Sequence, residues 1–316
     1  MEEKTKVLLV GAGEMATEYA KVLKGMGKEF TVVGRGKKSS KTFEKNTGIA
    51  VIDGGIDKWL TVNSNTIMPT QAIIATSYDS LGPTALALMK YGFKSILIEK
   101  PGALDWNGIK NLRDEAKINK AHLYIAYNRR FYSSVREAQK IIKKDGGVSS
   151  FHFEFTEWSH ILTTLNKPAD LMQRWFFHNS THVVDMAFFL GGSPTKMSSF
   201  TAGSLPWHSK ASSFSGAGTT KTGVLFAYNA NWEAPGRWGV EIMTKKHRLI
   251  FRPLERLQIQ DKGSVMITET KINNQLDLDY KPGLYKEVLS FLTDKKDLCT
   301  INEQCNNIKW YKKMLG

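Results

Sequence analysis

The chain is poor in cysteine: Cys299 and Cys305 are the only two among its 316 residues. They stand close together near the C-terminus, with no second pair to complete a zinc site and no framework of spacings for disulfides. They read as free thiols in a reducing compartment. No stretch approaches the roughly 18 apolar residues of a membrane span. The start, Met1-Glu2-Glu3-Lys4, is charged where a secretory leader needs an apolar stretch and a cleavage site. A cytoplasmic location away from any membrane is therefore expected. Internal repeats and low-complexity linkers are missing as well, and 41% hydrophobic content excludes a disordered chain. The last thing lacking is clustered charge. The net charge of +14 would suit a nucleic-acid partner if it were gathered on one face. Instead its short runs, Gly36-Lys37-Lys38, Lys143-Lys144, Lys245-Lys246 and Lys312-Lys313, fall at the ends of elements. No nucleic-acid partner is expected, and a basic surface equally suits an anionic cofactor or substrate.

What is present is a regular alternation. Lys6–Val10, Phe30–Val33, Ala50–Ile52, Ala72–Ala75, Ser95–Ile98 and His122–Ala126 are short apolar runs. Segments of helical spacing, such as Met15, Tyr19, Val22, Leu23 and Met26, separate several of them. Apolar strands alternating with helices predict a parallel sheet covered on both faces, a doubly wound dinucleotide-binding fold over residues 1–127. Beyond Asn128 the pattern changes. Strands are expected at Ser150–Glu157, Lys196–Ala202, Thr222–Asn231, Gly239–Thr244, Arg248–Phe251 and Val265–Thr270, with one strong helix starting near Ser180. Residues 128–316 therefore read as an α+β domain built on a mainly antiparallel open sheet, for substrate binding and oligomerisation. Its C-terminal helix is able to pack back on the first domain.

Gly11-Ala12-Gly13-Glu14-Met15-Ala16 is a G-x-G-x-x-A turn between a strand and a helix. Gly11 permits the tight turn, Gly13 lets the backbone approach a pyrophosphate, and Ala16 allows close packing of helix on strand. The second strand ends in Gly34-Arg35-Gly36-Lys37-Lys38-Ser39, without the carboxylate that would bind the ribose of NAD. Arg35 is suited to stack on adenine and pair with a 2′-phosphate, with Lys37 and Ser39 beside it, so NADP is the expected cofactor and NAD the alternative. Ala75 and Thr76 at the end of the fourth strand, and Glu99, Lys100 and Pro101 at the end of the fifth, complete the expected cofactor contacts. Ligands bind at this carboxyl edge in open α/β sheets.

Taken together, the glycine turn, Glu99-Lys100-Pro101, Tyr127-Asn128-Arg129-Arg130-Phe131 and His182-Val183-Val184-Asp185 resemble the Gfo/Idh/MocA oxidoreductases over nearly the whole chain. The resemblance implies a nicotinamide enzyme acting on a CH–OH group, most naturally of a sugar or nucleotide sugar. Lys100 and His182 are then catalytic, with a cis peptide bond before Pro101. An ammonium near the reacting oxygen stabilises alkoxide charge, and an imidazole is suited to passing the proton. Asp185, one turn after His182, is placed to orient a substrate hydroxyl or the imidazole. Asn128 is expected at the cofactor, and Tyr127, Arg129, Arg174, Trp175, His178 and Asn179 at the substrate. Trp158, Trp232 and Trp238 are able to stack on a sugar ring or to serve as core.

The departure lies four residues before His182. Many relatives carry an aspartate there, and this chain has His178. Either His178 or Asn179 contacts the substrate instead, or Lys100 and His182 act without that partner. The alternative reading is a non-catalytic NAD(P)-binding regulator. No carboxylate completes a metal set with His178 and His182, so no metal is expected. Relatives commonly cover the open sheet with a second subunit's sheet, which implies a homodimer or homotetramer.

Overall fold

A computed structural model describes residues 6–63 and 69–316. The charged start, Met1–Lys4, lies outside the described residues. The strands are β1 (Val7–Val10), β2 (Phe30–Gly34), β3 (Val51–Asp53), β4 (Gln71–Ile74), β5 (Ser95–Glu99), β6 (His122–Ala126), β7 (Ser150–Glu154), β8 (Pro194–Ala202), β9 (Ser213–Thr220), β10 (Leu225–Asn231), β11 (Gly239–Met243), β12 (His247–Phe251), β13 (Gln258–Asp261), β14 (Ile267–Glu269) and β15 (Cys299–Thr300). The chain forms two compact units. One comprises Met1–Tyr127 and Leu278–Asn306, the other Asn128–Asp277 and Asn307–Gly316.

The first unit is the doubly wound sheet that the sequence predicts. Its strand order is β15-β6-β5-β4-β1-β2-β3. Neighbours among β1 to β6 run parallel, and β15 closes the β6 edge antiparallel. Val7, Leu8, Leu9, Ile73, Ile96, Leu97 and Ile98 are fully buried, as expected of strands covered on both faces. After β3 the chain returns to place β4 beside β1. That reversal opens a crevice at the carboxyl ends of β1 and β4, where such sheets bind ligands.

The second unit is a sheet of order β14-β13-β12-β11-β7-β10-β9-β8, antiparallel except where β7 meets β10. Strand β7 alternates, with Phe151 and Phe153 buried and Phe155 continuing the same face just beyond it. Phe153 meets Tyr228 of β10 at 5.5 Å and Phe188 of the Thr181–Gly191 helix at 5.6 Å. This aromatic layer holds that helix against the sheet, and with it His182. The strand expected at Ser150–Glu157 ends at Glu154. Two further strands, β9 and β13, carry no apolar signal in the sequence. In β9 the reason is steric: a methyl group on Gly216 would lie 2.5 Å from both the Ser198 carbonyl and the ring of Tyr228, and one on Gly218 would lie 2.2 Å from the Lys196 carbonyl and 2.6 Å from the ring of Phe226. The backbone of β8 and the aromatic residues of β10 together occupy the space where side chains of β9 would make the strand recognisable.

His208, between β8 and β9, is packed among Trp207, Trp232 and Phe214 and is 1% exposed. Its Nδ1 lies 2.8 Å from the Ala211 carbonyl, and burial pushes its pKa below the ordinary histidine value of 6.5. The unfolded chain therefore takes up this proton more readily than the folded one. Stability from this residue is complete above about pH 6.5 and declines as the pH falls toward the depressed folded value. Urea midpoints should drop across that window in the wild type and drop less in His208→Gln; an identical pH dependence in the two would refute the assignment.

Among the described residues no helix is long and apolar enough to cross a membrane. Cys299 and Cys305 are free thiols.

Candidate active site

In the first unit, β1 runs into Gly11-Ala12-Gly13 and the helix Glu14–Gly25. Gly11 has φ +127°, and a Cβ there would lie 2.2 Å from the Ala75 carbonyl oxygen. Only glycine lets β1 and β4 approach this closely. A Cβ on Gly13 would meet nothing within 4 Å, and as N-cap residue it offers the helix no side-chain cap. The first-turn N–H groups therefore have open space before them and the positive end of the helix dipole behind them. Both features fit a dinucleotide pyrophosphate. The adjoining cleft, about 1070 Å³, brings Ala12, Gly13, Glu14 and Met15 together with Gly36, Lys38 and Ser39.

The far side of that cleft is the end of β2. Gly34 is buried, whereas Arg35 and Lys37 are exposed and Lys37 begins the helix Lys37–Thr47. The Ser39 hydroxyl donates to the Gly36 carbonyl at 2.8 Å. The Asp79 carboxyl is held below the usual range, chiefly by a hydrogen bond from Ser77 and in smaller part by the field of Arg35.

At the end of β5, the Tyr19 hydroxyl donates to Glu99 Oε1 at 2.8 Å, which ties the strand end to the glycine-turn helix. Burial pushes the Glu99 carboxyl up against the opposing effects of Tyr19, Lys100 and Lys281. Lys100 is half-buried, and the Lys100–Pro101 bond is cis. Ala75 and Thr76 follow β4 on the same carboxyl edge. Tyr127 is buried, and its hydroxyl donates to Gln304 Oε1 at 3.2 Å.

The second unit assembles its own group. Asn128–Phe131 forms a 3-10 turn. Arg130 pairs with Asp185 through two buried bonds, Nε to Oδ2 at 2.8 Å and Nη2 to Oδ1 at 2.6 Å. Deleting one partner of such a pair costs roughly 3–5 kcal/mol, so the Asp185 carboxylate is first of all the clamp between this turn and the Thr181–Gly191 helix. Just ahead of that helix, Phe176–Ser180 is a π-helical turn, a distortion frequent at functional sites. It carries buried His178 and half-buried Asn179, and His182 follows, 6% exposed. Arg174 lies 4.0 Å from Asp170, and Trp175 is half-buried beside it.

Trp238 is the hub of the group. Its ring lies 6.2 Å from His182, with the guanidinium of Arg129 at 4.9 Å and that of Arg237 at 4.8 Å. Arg237 also stacks on Trp158 at 4.8 Å. Trp158 is 46% exposed, and its N–H is tied to the Gly236 carbonyl at 2.7 Å. Trp232 is core, donating to the Phe155 carbonyl and stacking on Trp207.

One residue of this group escapes a reading of motifs. Glu157 is 1% exposed, accepts hydrogen bonds from Ser180, Asn179 and Trp238, and lies 3.6 Å from Arg237. Burial pushes its carboxyl up, against the hydrogen bonds and Arg237. Alternation gives no signal here, because it ends with β7 at Glu154 and Phe155, Thr156 and Glu157 are all buried.

Residues 5–127 match the family model described as GFO_IDH_MocA, an oxidoreductase family with an NAD-binding Rossmann fold. No curated protein sequence matches the chain. Solved structures do match in fold. An oxidoreductase from Desulfitobacterium hafniense, described as NADPH-dependent, aligns with TM-score 0.79 at 16% identity, covering 100% of this chain and 95% of its own. UDP-N-acetylglucosamine 3-dehydrogenase from Acidithiobacillus ferrooxidans aligns with TM-score 0.73 at 14% identity, covering 98% and 96%. The WlbA dehydrogenase from Chromobacterium violaceum, complexed with NADH and UDP-GlcNAcA, aligns with TM-score 0.71 at 14% identity, covering 99% and 94%.

Proposed function

We propose that the chain, whose residues 5–127 match the Gfo/Idh/MocA model of an NAD-binding oxidoreductase family, moves a hydride between nicotinamide and the hydroxyl or keto carbon of a sugar or nucleotide sugar. The observation that carries this reading is the placement of Lys100 at the carboxyl edge of the same sheet that holds the Gly11–Gly13 turn. One solved structure of this fold, at 14% identity, is bound to UDP-GlcNAcA, which supports the substrate class. Nicotinamide, when bound, supplies or accepts the hydride. Lys100 stabilises charge on the substrate oxygen, and His182 exchanges the hydroxyl proton. Arg129, Arg174, Trp175, His178 and Asn179 are the proposed substrate contacts, with Tyr127 and Asp185 supporting them. Asn128 is proposed at the cofactor with the residues of the glycine turn. Screening free sugars and nucleotide sugars for nicotinamide turnover tests the reading; tight cofactor binding with no turnover of any of them would replace it with a regulator.

Within this proposal the cofactor is NADP, read through Arg35, which no neighbouring carboxylate fully neutralises. Arg35→Ala should weaken NADPH binding on the order of tenfold or more and NADH little, since a charge-assisted contact to phosphate contributes about 1.5–3 kcal/mol. Equal losses for the two cofactors, measured by fluorescence titration, would remove Arg35 from the phosphate site. The proposed setting is the cytoplasm. A second copy covers the outer face of the second sheet, where Phe200 and Leu225 are 71% and 65% exposed, in a dimer or a dimer of dimers. A monomer at micromolar concentration in sedimentation would overturn that assembly.

A further inference from the structure

We infer that Glu157 is a positioning residue, which turns the Asn179 side-chain amide so that its Oδ1 accepts a hydrogen bond from a substrate hydroxyl. This supplies a fixed amide acceptor beside position 178, where the chain has an imidazole and no carboxylate. The inference rests on the sugar-oxidoreductase reading above and deepens it.

A carboxylate buried to 1% exposure is costly unless its lone pairs are used, and those of Glu157 are. Oε1 accepts from the Ser180 hydroxyl at 2.7 Å, from Asn179 Nδ2 at 3.1 Å and from Trp238 Nε1 at 3.2 Å. Oε2 accepts from Asn179 Nδ2 at 3.2 Å and lies 3.6 Å from Arg237. The ion pair is the loosest of these contacts, and the Arg237 side chain is 44% exposed. Neutral donors do most of the holding. They come from two places, the π-helical turn before His182 and the loop between β10 and β11, so the carboxylate joins two segments far apart in sequence.

The orientation of Asn179 follows from the chemistry of the two ends of its amide. An ionised carboxylate only accepts, so the amide must present Nδ2 to it and turn Oδ1 away. Asn179 is half-buried, and among the described residues its Oδ1 accepts no hydrogen bond. A fixed acceptor three residues before His182 lies on the neighbouring turn of the same helical face. Trp238, the third donor to Glu157, also lies beside the imidazole at 6.2 Å. Glu157 thus fixes two of the neighbours of His182 without being near the start of either motif.

The variants Glu157→Gln, Asn179→Ala and the double variant test this, with kcat and KM measured on a sugar turned over by the wild type, together with cofactor affinity and thermal unfolding. A glutamine keeps the volume of Glu157 but presents an amide, and so no longer dictates which end of Asn179 faces it. Each single variant should lower kcat/KM by about tenfold, the worth of one well-placed hydrogen bond. The double variant should be no worse than Asn179→Ala alone, cofactor affinity should not change, and Glu157→Asp should recover part of the loss. Losses that multiply in the double variant, or a Glu157→Gln protein that melts earlier yet turns over normally, would reduce Glu157 to a structural anchor and overturn the inference. If Glu157→Gln does not fold, Asn179→Ala decides alone: unchanged kcat/KM overturns the inference. A wild type that turns over no sugar instead overturns the parent reading, and this inference with it.

Discussion

Lys100→Met is expected to lower turnover by roughly a hundred- to a thousandfold at every pH tested, the magnitude seen when a single donor to a developing oxyanion is removed. Methionine keeps much of the packing of the lysine stem and removes the charge together with its N–H donors. The half-buried setting of Lys100 strengthens the effect, because an ammonium partly withdrawn from water is screened less. Cofactor affinity should fall far less than turnover, since the pyrophosphate site is built from the glycine turn and the open helix end on β1 and its following helix, and Lys100 adds only one contact to it. Steady-state rates with saturating cofactor read the effect directly. Full activity in the variant would end the assignment of Lys100 to the chemistry.

His182→Asn should have a different signature. General acid–base catalysis contributes about a hundred- to ten-thousandfold, and imidazole is the side chain whose ordinary titration falls near neutrality. The variant should lose a comparable factor around pH 7 and lose the limb of the pH–rate profile that the imidazole sets, leaving a flatter residual rate. Asparagine preserves polarity at a residue packed beside Trp238, so unfolding midpoints should change little. A profile that keeps the wild-type shape while scaling down would show that some other group carries the proton. Comparing the two variants separates charge stabilisation, which is lost at all pH values, from proton exchange, which is lost as a pH dependence.

Local chemistry made the first unit legible. Gly11 and Gly13 fall in a short pattern that a few residues reveal, even though Gly11 answers to the distant Ala75, and apolar strands with both faces covered announce themselves in runs such as Val7-Leu8-Leu9-Val10. In the second unit the informative contacts are distant in sequence. Arg130 and Asp185 are 55 residues apart, and Glu157 and Trp238 are 81 apart. No spacing rule connects such pairs. Alternation stops with β7 at Glu154 and Thr156 is buried as well, so only the fold shows that Glu157 is inward and which donors meet it there. Strand β9 was hidden for a related reason: its glycines answer to the backbone of β8 and the aromatic rings of β10, so its sequence reports its neighbours' bulk and no periodicity of its own.

The closing of the β6 edge by β15 bears on how the protein can be cut. Cys299 and Thr300 pair with Ile125 and Tyr124, Tyr124 packs edge-on against Phe291 at 6.3 Å, and Gln71 donates to the Phe291 carbonyl. A fragment ending at Tyr127 would carry every strand that surrounds the glycine turn and yet leave one flank of the sheet bare. Unpaired N–H and C=O groups along a flat apolar strand are a template for another chain. The nucleotide-binding half is therefore a covalently discontinuous domain, whose solubility depends on a segment synthesised some 150 residues after the strands it protects.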